Sequence, residues 1–249
     1  MSIFWALLLG IIQGLTEFLP VSSSGHLAIA QSIIPNFKQP GVLFDVTLHL
    51  ATTFAVVIYF RKKLKFIISR DRKYIGFLIV GTIPAAFVGV LFSDILETMF
   101  LNVKAIAWQL MLTGIMCILI DKFRDRRNDL SVNNSFLIGC AQALAIIPGI
   151  SRSASTIFTG SFLGIEKKKA AEYSFLLSIP AILGANIFQY IKYGSAIEIE
   201  ALNYLVGFIA ALIFGYLSIR VVLNTLHKKK FKYFGIYCII LGITVLVFV

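Results

Sequence analysis

The sequence has 249 residues, of which 58% are hydrophobic and only 14% are charged. Soluble domains average roughly 45–50% apolar and about 25% charged residues, so this composition excludes an ordinary soluble domain and indicates an integral membrane protein. The net charge is +11, and 18 of the 23 Lys and Arg residues fall in the segments 61–73, 122–127, 167–169 and 228–232. Such clustering is typical of cytoplasmic loops. A nucleic-acid surface would need aromatic residues among the bases, so no nucleic-acid partner is expected.

The first half of the chain predicts one broken apolar element and three full membrane spans. Residues 3–19 are apolar, and a second short apolar piece at about 27–34 follows a polar interruption. Each piece is short for a span of about 20 residues, which predicts a re-entrant helical hairpin. The full spans are predicted at 41–60, 74–92 and 104–121, with loops at 61–73, 93–103 and 122–128.

The same pattern restarts in the second half. Residues 135–147 are apolar, the run breaks at Pro148, and a short apolar piece reaches about Ile165, which predicts a second hairpin. Full spans are predicted at 170–192, 202–223 and 233–249. The expected fold class is therefore an all-α polytopic membrane protein with six full spans and two re-entrant hairpins.

The two polar interruptions are related by an offset of 129 residues. The matching pairs are Gln13 and Gln142, Leu15 and Leu144, Ser22 and Ser151, and Ser24 and Ser153. We interpret this as an internal duplication within one membrane domain, 1–249, with halves at about 1–128 and 129–249. Chance similarity between turns rich in small residues is the alternative.

The charge pattern gives the two halves opposite orientations. If every basic segment is cytoplasmic, then 93–103 and the loop 193–200, with Glu198 and Glu200, lie outside. Each half contains three full spans, an odd number, so the halves are inverted. Inverted repeats with broken helices place their sites near the membrane midplane. The two breaks are therefore predicted to meet tip to tip.

The second break has the composition of an anion-binding site. Arg152 is its only basic residue, and a guanidinium cannot deprotonate and matches phosphate geometry. A helix starting near Ser153 would also point its N-terminal amides at an anion. Neighbouring hydroxyls come from Ser151, Ser153, Ser155 and Thr156. The alternative is that Arg152 pairs with Glu17 and only pins the two hairpins together.

The first break supplies groups for acid–base and nucleophilic chemistry. Glu17 follows Gln13 by four residues, so both lie on one helix face and could share a divalent cation or orient water. His26 suits proton transfer or nucleophilic attack. Ser22, Ser23 and Ser24 can bind phosphate oxygens, and one of them could be the nucleophile if His26 takes its proton.

Four further polar residues in apolar spans are weaker candidates. Asp45 and His49 are four residues apart and share a helix face. Glu172 and Asn186 also lie in apolar sequence. Ionisable residues within a membrane span are functional hypotheses by default, but Asp45 could equally lie at the interface.

Both breaks resemble motifs of the bacterial undecaprenyl-diphosphatase (BacA/UppP) family. The stretch QGLTEFLPVSSSGH, Gln13–His26, looks like its (E/Q)-x-x-x-E motif and the following S-S-(T/S)-G-H. The stretch PGISRSAST, Pro148–Thr156, looks like its P-G-x-S-R-S-x-x-T motif. Ser24 stands where Thr is common and Ala154 where Gly is common. The order and spacing agree over essentially the whole chain.

The resemblance implies a phosphatase that converts undecaprenyl diphosphate to undecaprenyl phosphate and so recycles the lipid carrier of cell-wall synthesis. It also implies a bacterial cytoplasmic membrane location, an active site open to the extracytoplasmic side, a divalent cation such as Mg²⁺ or Ca²⁺, and an association with bacitracin resistance. The expected partners are the polyprenyl diphosphate substrate and membrane lipids. Whether the protein forms a homodimer stays open.

Carried over by position, the resemblance gives each polar residue a role. Arg152 would hold the diphosphate, supported by Ser151, Ser153 and Thr156. Glu17, with Gln13, would bind the metal or act in acid–base chemistry. Ser23 is the preferred nucleophile with His26 as its base, and direct attack by His26 is the alternative.

A lipid transporter or flippase is the rival function, because inverted repeats with midplane sites are its usual architecture. The combination of Ser, His, Glu and Arg at the breaks is richer than substrate binding alone requires.

Overall fold

The computed structural model describes residues 1–39, 41–124, 126, 128–193, 201–226 and 230–248, and these residues form twelve α-helices and no β-sheet. The helices are α1 (Ile3–Thr16), α2 (Ser23–Ser32), α3 (Leu43–Tyr59), α4 (Arg61–Arg70), α5 (Arg72–Leu91), α6 (Ser93–Met99), α7 (Val103–Ile120), α8 (Val132–Leu144), α9 (Arg152–Phe162), α10 (Lys167–Tyr193), α11 (Ala201–Leu226) and α12 (Phe231–Phe248).

Six long apolar helices correspond to the six predicted spans. By length and composition, α5, α7, α10, α11 and α12 are each able to cross a membrane. Helix α3 has 17 residues and counts as a sixth span only together with α4, from which it is bent by 73°. The predicted all-α polytopic membrane architecture is confirmed.

Two segments that were predicted as loops are helical instead. The basic stretch after α3 forms α4, because Arg, Lys and Leu favour helix and its Ile67 is buried against the core. The stretch from Ser93 forms the short helix α6. The predicted outer loop with Glu198 and Glu200 lies outside the described residues.

The two predicted hairpins are the helix pairs α1–α2 and α8–α9. Pro20 lies in the first turn and Pro148 in the second, where a proline cannot continue a helix. Helix α2 then begins at its N-cap Ser22, whose hydroxyl accepts from the Gly25 amide at 3.3 Å. Helix α9 begins in the same way at Ser151, whose hydroxyl accepts from the Ala154 amide at 3.2 Å.

Contacts between distant segments place described residues of three basic stretches, 61–73, 122–127 and 167–169, at one end of the molecule. Lys63 of α4 forms an ion pair with Glu172 near the start of α10, and Nζ of Lys167 donates to the Phe123 carbonyl at 2.6 Å. At the opposite end, Nζ of Lys192 lies 2.5 Å from Oδ1 of Asp94. We call the end with Lys63 and Lys167 the basic end and the end with Asp94 the acidic end.

Each hairpin starts and finishes at a single end. Met1 contacts Asn203 near the start of α11, and Gly41, after α2, lies against the Tyr193 ring at the acidic end. The other hairpin returns to the basic end, where Nδ2 of Asn128 donates to the Leu163 carbonyl at 2.8 Å. The hairpins therefore enter from opposite ends, as an inverted repeat requires.

Each hairpin packs against a span from the other half of the chain. Helix α1 lies on α11, and α8 lies on α5. Glycines allow both approaches: a Cβ at Gly10 would lie 2.9 Å from Cβ of Ala210, and a Cβ at Gly139 would lie 2.9 Å from Cα of Gly81. Gly10 and Gly139 are again 129 residues apart. This interlocked packing gives the two halves a shared core and brings the hairpin tips together.

Candidate active site

The tips meet in an ion pair between Glu17 and Arg152. Glu17 caps the C-terminus of α1, and Arg152 is the first residue of α9. Nη2 of Arg152 donates to Oε1 of Glu17, and Nη1 donates to the Ser174 carbonyl at 3.1 Å. The Glu17 side chain is 3% exposed, so the guanidinium pairs with a carboxylate that has little access to solvent. The predicted tip-to-tip meeting of the two breaks is confirmed.

The second oxygen of Glu17 gathers three further polar groups. Oε2 accepts from Oγ of Ser23 at 2.7 Å and from Nε2 of Gln13 at 2.9 Å. Nε2 of His49 on α3 lies 3.3 Å from the same oxygen. Glu17 is therefore the centre of the site, and Ser23 is the hydroxyl held against it.

A cavity of about 420 Å³ opens beside this ion pair. Its polar part contains Glu17, Arg152 and the hydroxyl residues Ser22, Ser23, Ser24 and Ser151. Its longer part runs between α5 and α10 to Glu97 and Gln189 at the acidic end, along walls of mainly small and apolar residues. The cavity thus combines a compact polar head with an extended apolar groove.

The predicted phosphate-binding hydroxyls divide into two groups. Ser22, Ser24 and Ser151 line the cavity. Ser153 does not line it, and its hydroxyl donates to the Leu19 carbonyl at 3.1 Å, which ties one tip to the other. Oγ1 of Thr156 lies 2.6 Å from Oγ of Ser174 and donates to the Arg152 carbonyl at 2.8 Å. Ser153 and Thr156 thus lie behind the cavity wall, and their predicted support of the diphosphate would act through Leu19, Ser174 and the Arg152 backbone.

His26 does not form the predicted pair with Ser23. Its Nδ1 lies 2.7 Å from the Ser22 carbonyl, and its Nε2 lies 2.7 Å from the hydroxyl of Tyr237 on α12. A carbonyl can only accept, so Nδ1 carries the proton and Nε2 accepts from Tyr237. Both ring nitrogens are engaged away from Ser23, and the ring stacks on Tyr237. The group in contact with Ser23 is the Glu17 carboxylate rather than His26.

Gln13 and Glu17, the predicted metal ligands, are in direct contact. Among the described residues, no group of three or more His, Cys, Asp or Glu side chains forms a closed metal site. Oε1 of Gln13 is buried and has no hydrogen-bond partner in the described part of the chain. Mg²⁺ commonly binds through one or two carboxylates together with substrate phosphates and water. These two oxygen donors fit a cation that binds together with a phosphate.

The four weaker candidate residues lie in different parts of the structure. His49 reaches Glu17, whereas the Asp45 carboxylate accepts from Gln31 at 2.5 Å and from Gln39 at 3.2 Å. Glu172 pairs with Lys63 at the basic end. Asn186 lines the apolar part of the cavity.

Ser174 and Gln142 contribute to the site, although neither was predicted as a site residue. The Ser174 carbonyl holds Arg152, and no sequence signal links it to the breaks. Gln142 lines the cavity, and its match to Gln13 in the repeat was the signal that could have found it.

Comparisons with known proteins show the family to which the chain belongs. The family model described as "Bacitracin resistance protein BacA" matches residues 6–244. The chain is 38% identical over 255 residues to the undecaprenyl-diphosphatase of Syntrophotalea carbinolica, covering 97% of both chains. It is 39% identical over 261 residues to that of Bacteroides fragilis strain ATCC 25285, covering 99% of this chain and 98% of the relative. It is 40% identical over 253 residues to that of Methanococcus vannielii, covering 98% and 99%. The chain belongs to the BacA family of bacitracin resistance proteins.

Proposed function

We propose that this protein is an undecaprenyl-diphosphatase, which hydrolyses undecaprenyl diphosphate to undecaprenyl phosphate and inorganic phosphate. The observation that carries the proposal is the buried Glu17 carboxylate, which holds the Ser23 hydroxyl at 2.7 Å beside the Arg152 guanidinium. The relatives named undecaprenyl-diphosphatase, similar over nearly their whole length, support the same reading.

The shape of the cavity supports a substrate with a charged head and a long apolar tail. Arg152 offers a permanent positive charge suited to phosphate oxygens. Ser151 and the first amides of α9 lie beside it, where a helix N-terminus favours an anion. The groove between α5 and α10 is lined by residues such as Ala85, Ala181 and Phe188. A diphosphate at the tips would leave its polyprenyl chain in that groove.

In the proposed mechanism, Ser23 is the nucleophile and Glu17 the base. Oγ of Ser23 attacks the terminal phosphorus while its proton passes to Oε2 of Glu17. The bond from that phosphorus to the bridging oxygen breaks, and undecaprenyl phosphate departs with the proton that Glu17 releases. Water then attacks the phosphoserine and gives a proton to Glu17, which passes it to Oγ of Ser23 as inorganic phosphate leaves.

Arg152 links substrate binding to the basicity of Glu17. In the structure its guanidinium neutralises the carboxylate, and a bound diphosphate would share that positive charge. The carboxylate would then be a better proton acceptor when the phosphate is present. Arg152 and the α9 amides would stabilise charge on the phosphoryl oxygens as they change geometry.

A divalent cation, Mg²⁺ or Ca²⁺, belongs to the proposal as a group bound together with the diphosphate. Gln13 and Glu17 would hold it, and it would neutralise part of the phosphate charge.

The charge distribution supports a location in the bacterial cytoplasmic membrane with the basic end in the cytoplasm. The cavity reaches Glu97 and Gln189 at the acidic end, so the active site would open on the extracytoplasmic side.

Phosphate release tests the proposal directly. Purified protein in detergent, supplied with undecaprenyl diphosphate and either Mg²⁺ or Ca²⁺, is expected to release inorganic phosphate, and Glu17→Ala and Arg152→Ala are expected to abolish the release. Full release by both variants would overturn the site assignment. Lipid movement between leaflets without any phosphate release by the wild type would instead favour a transporter.

A further inference from the structure

The carboxamide of Gln142 lies in the wall of the active-site cavity. The residue is 3% exposed, and neither Nε2 nor Oε1 has a hydrogen-bond partner among the described residues. It lies in the last turn of α8 and lines the same cavity as Ser151 and Arg152. Buried polar side chains in proteins are nearly always paired, so a residue with both amide atoms unpaired at a cavity wall indicates a ligand.

The internal repeat explains why this amide is free. Its counterpart Gln13 donates from Nε2 to Glu17, four residues further along. In the second half the residue four positions after Gln142 is Ile146, which offers no side-chain acceptor. Gln13 therefore hydrogen-bonds the Glu17 carboxylate in the first half. Gln142 has no carboxylate at the equivalent position in the second half.

We propose that Gln142 is a further substrate-binding residue, which donates from Nε2 to a phosphate oxygen of the bound diphosphate beside Arg152. This inference rests on the proposed function, because it takes the diphosphate as the occupant of the polar part of the cavity. The neighbouring groups favour a phosphate, since the Arg152 guanidinium, the Ser151 hydroxyl and the start of α9 all suit an anion. Oε1 is left to accept from water or from a protonated phosphate oxygen.

Gln142→Met tests the proposal, because methionine is close to glutamine in length and volume but cannot donate. Ser161→Ala is the matched control: Ser161 is 2% exposed, its hydroxyl also has no partner in the described part of the chain, and it does not line the cavity. Both variants remove an unpaired buried polar group from the second hairpin. Only one of them faces the proposed phosphate.

Two measurements make the outcome decisive. The first is calorimetric binding of methylenediphosphonate, a diphosphate analogue without a cleavable bridging oxygen, and the second is kcat/KM for undecaprenyl diphosphate. Gln142→Met is expected to weaken analogue binding and lower kcat/KM by tenfold or more, mainly through KM, while Ser161→Ala stays within twofold of the wild type. If Gln142→Met binds the analogue as tightly as the wild type, or if Ser161→Ala loses as much, the proposal is wrong.

The binding measurement separates this inference from the proposed function. A wild-type protein that binds the analogue through Gln142 but releases no phosphate would refute the phosphatase and retain the site. Should Gln142→Met fail to fold, Gln142→Asn keeps an amide but shortens its reach by one methylene. That variant is expected to lose analogue affinity as well, and undiminished affinity would overturn the proposal.

Discussion

Nε2 of His49 lies 3.3 Å from Oε2 of Glu17, the carboxylate oxygen that also accepts from Ser23. Nδ1 of His49 lies 2.7 Å from the Asp45 carbonyl on the same helix, so Nδ1 donates to it, and Nε2 faces Glu17, to which it donates when it also carries a proton. The sequence predicted only that His49 and Asp45 share a helix face. In the structure the Asp45 carbonyl holds Nδ1 and so turns Nε2 toward the Glu17 carboxylate.

His49 is therefore expected to position Glu17. His49→Leu removes the ring that fixes the carboxylate, and a misplacement of about 1 Å can cost roughly a hundredfold in rate, so we expect kcat to fall by about ten- to a hundredfold. His49→Gln, which keeps a nitrogen donor, is expected to recover part of that loss. Steady-state phosphate release measures both variants, and equal activity of wild type and His49→Leu would contradict this role.

Variants of the Arg152–Glu17 pair show whether these residues act in the reaction or only hold the two hairpins together. Arg152→Met leaves a buried carboxylate without its partner, and breaking a buried pair in this way typically costs about 3–5 kcal/mol. The double variant Arg152→Met/Glu17→Gln removes both charges and is expected to recover most of the stability. Thermal unfolding in detergent measures this recovery.

The phosphate release of the same double variant shows whether the pair acts in the reaction. If both residues act in the reaction, phosphate release stays abolished although the protein is stable again. A double variant that regains both stability and activity would show that the pair only pins the hairpins. Glu172→Gln, which removes the Lys63 pair at the basic end, is the control and is expected to retain activity.

The identity of the nucleophile predicts the chemistry of a trapped intermediate. Ser23 contacts the Glu17 carboxylate, whereas both ring nitrogens of His26 are hydrogen-bonded elsewhere. Rapid quenching with labelled substrate is therefore expected to trap acid-stable phosphoserine at Ser23. Ser23→Ala is expected to lower kcat by about a hundredfold or more, and His26→Gln by less. Acid-labile phosphohistidine would overturn this assignment.

The hydrogen-bond partner of His26 could not be predicted from the sequence. The charge pattern and the odd number of spans in each half predicted that the two breaks would meet, and in the structure they meet at Glu17 and Arg152. The partner of His26 is Tyr237, on the last helix, and no pattern in either break indicates that α12 packs there. For Gln142 the sequence carried part of the signal, since its match to Gln13 and the Ile146 four residues later can be read from it, but the cavity that Gln142 lines cannot.

The acidic end of the groove is held by a carboxylate that responds to pH. Glu97 accepts from Oη of Tyr193 at 2.6 Å, Nε2 of Gln189 at 2.9 Å and Nζ of Lys192 at 3.1 Å. Burial acts to raise the pKa of Glu97, but these hydrogen bonds outweigh it and hold the pKa below its ordinary value. Such a group stabilises the fold above its unfolded pKa, and the contribution is lost as pH falls through the folded pKa.

Wild-type protein is therefore expected to lose thermal stability as the pH is lowered below about 4.5, the ordinary pKa of a glutamate. Glu97→Gln is expected to be less stable at pH 7 and to show a smaller acid-induced fall in Tm. Asp129→Asn is the control, because that carboxylate is 91% exposed and 3.7 Å from Lys169. If the acid-induced fall in Glu97→Gln equals that of the wild type, the carboxylate does not hold this junction.

The interlocked packing of the halves makes Gly139 sensitive to a single methyl group. A Cβ there would lie 2.9 Å from Cα of Gly81 and press on the α5 backbone. Overpacking of this kind typically costs about 1–3 kcal/mol. Gly139→Ala is expected to lower Tm and, because α8 leads into the turn before Arg152, to lower kcat/KM as well.

Gly76→Ala provides the matched control on the partner helix α5. A Cβ at Gly76 meets no atom within 4 Å, and replacing a mid-helix glycine with alanine typically stabilises a helix by about 0.5–1 kcal/mol. Gly76→Ala is therefore expected to keep or raise Tm without a loss of activity. Gly10→Ala, at the equivalent position of the repeat, is expected to behave like Gly139→Ala, because its Cβ would meet α11. If all three variants melt together, close glycine contacts do not hold the hairpins on the opposite halves.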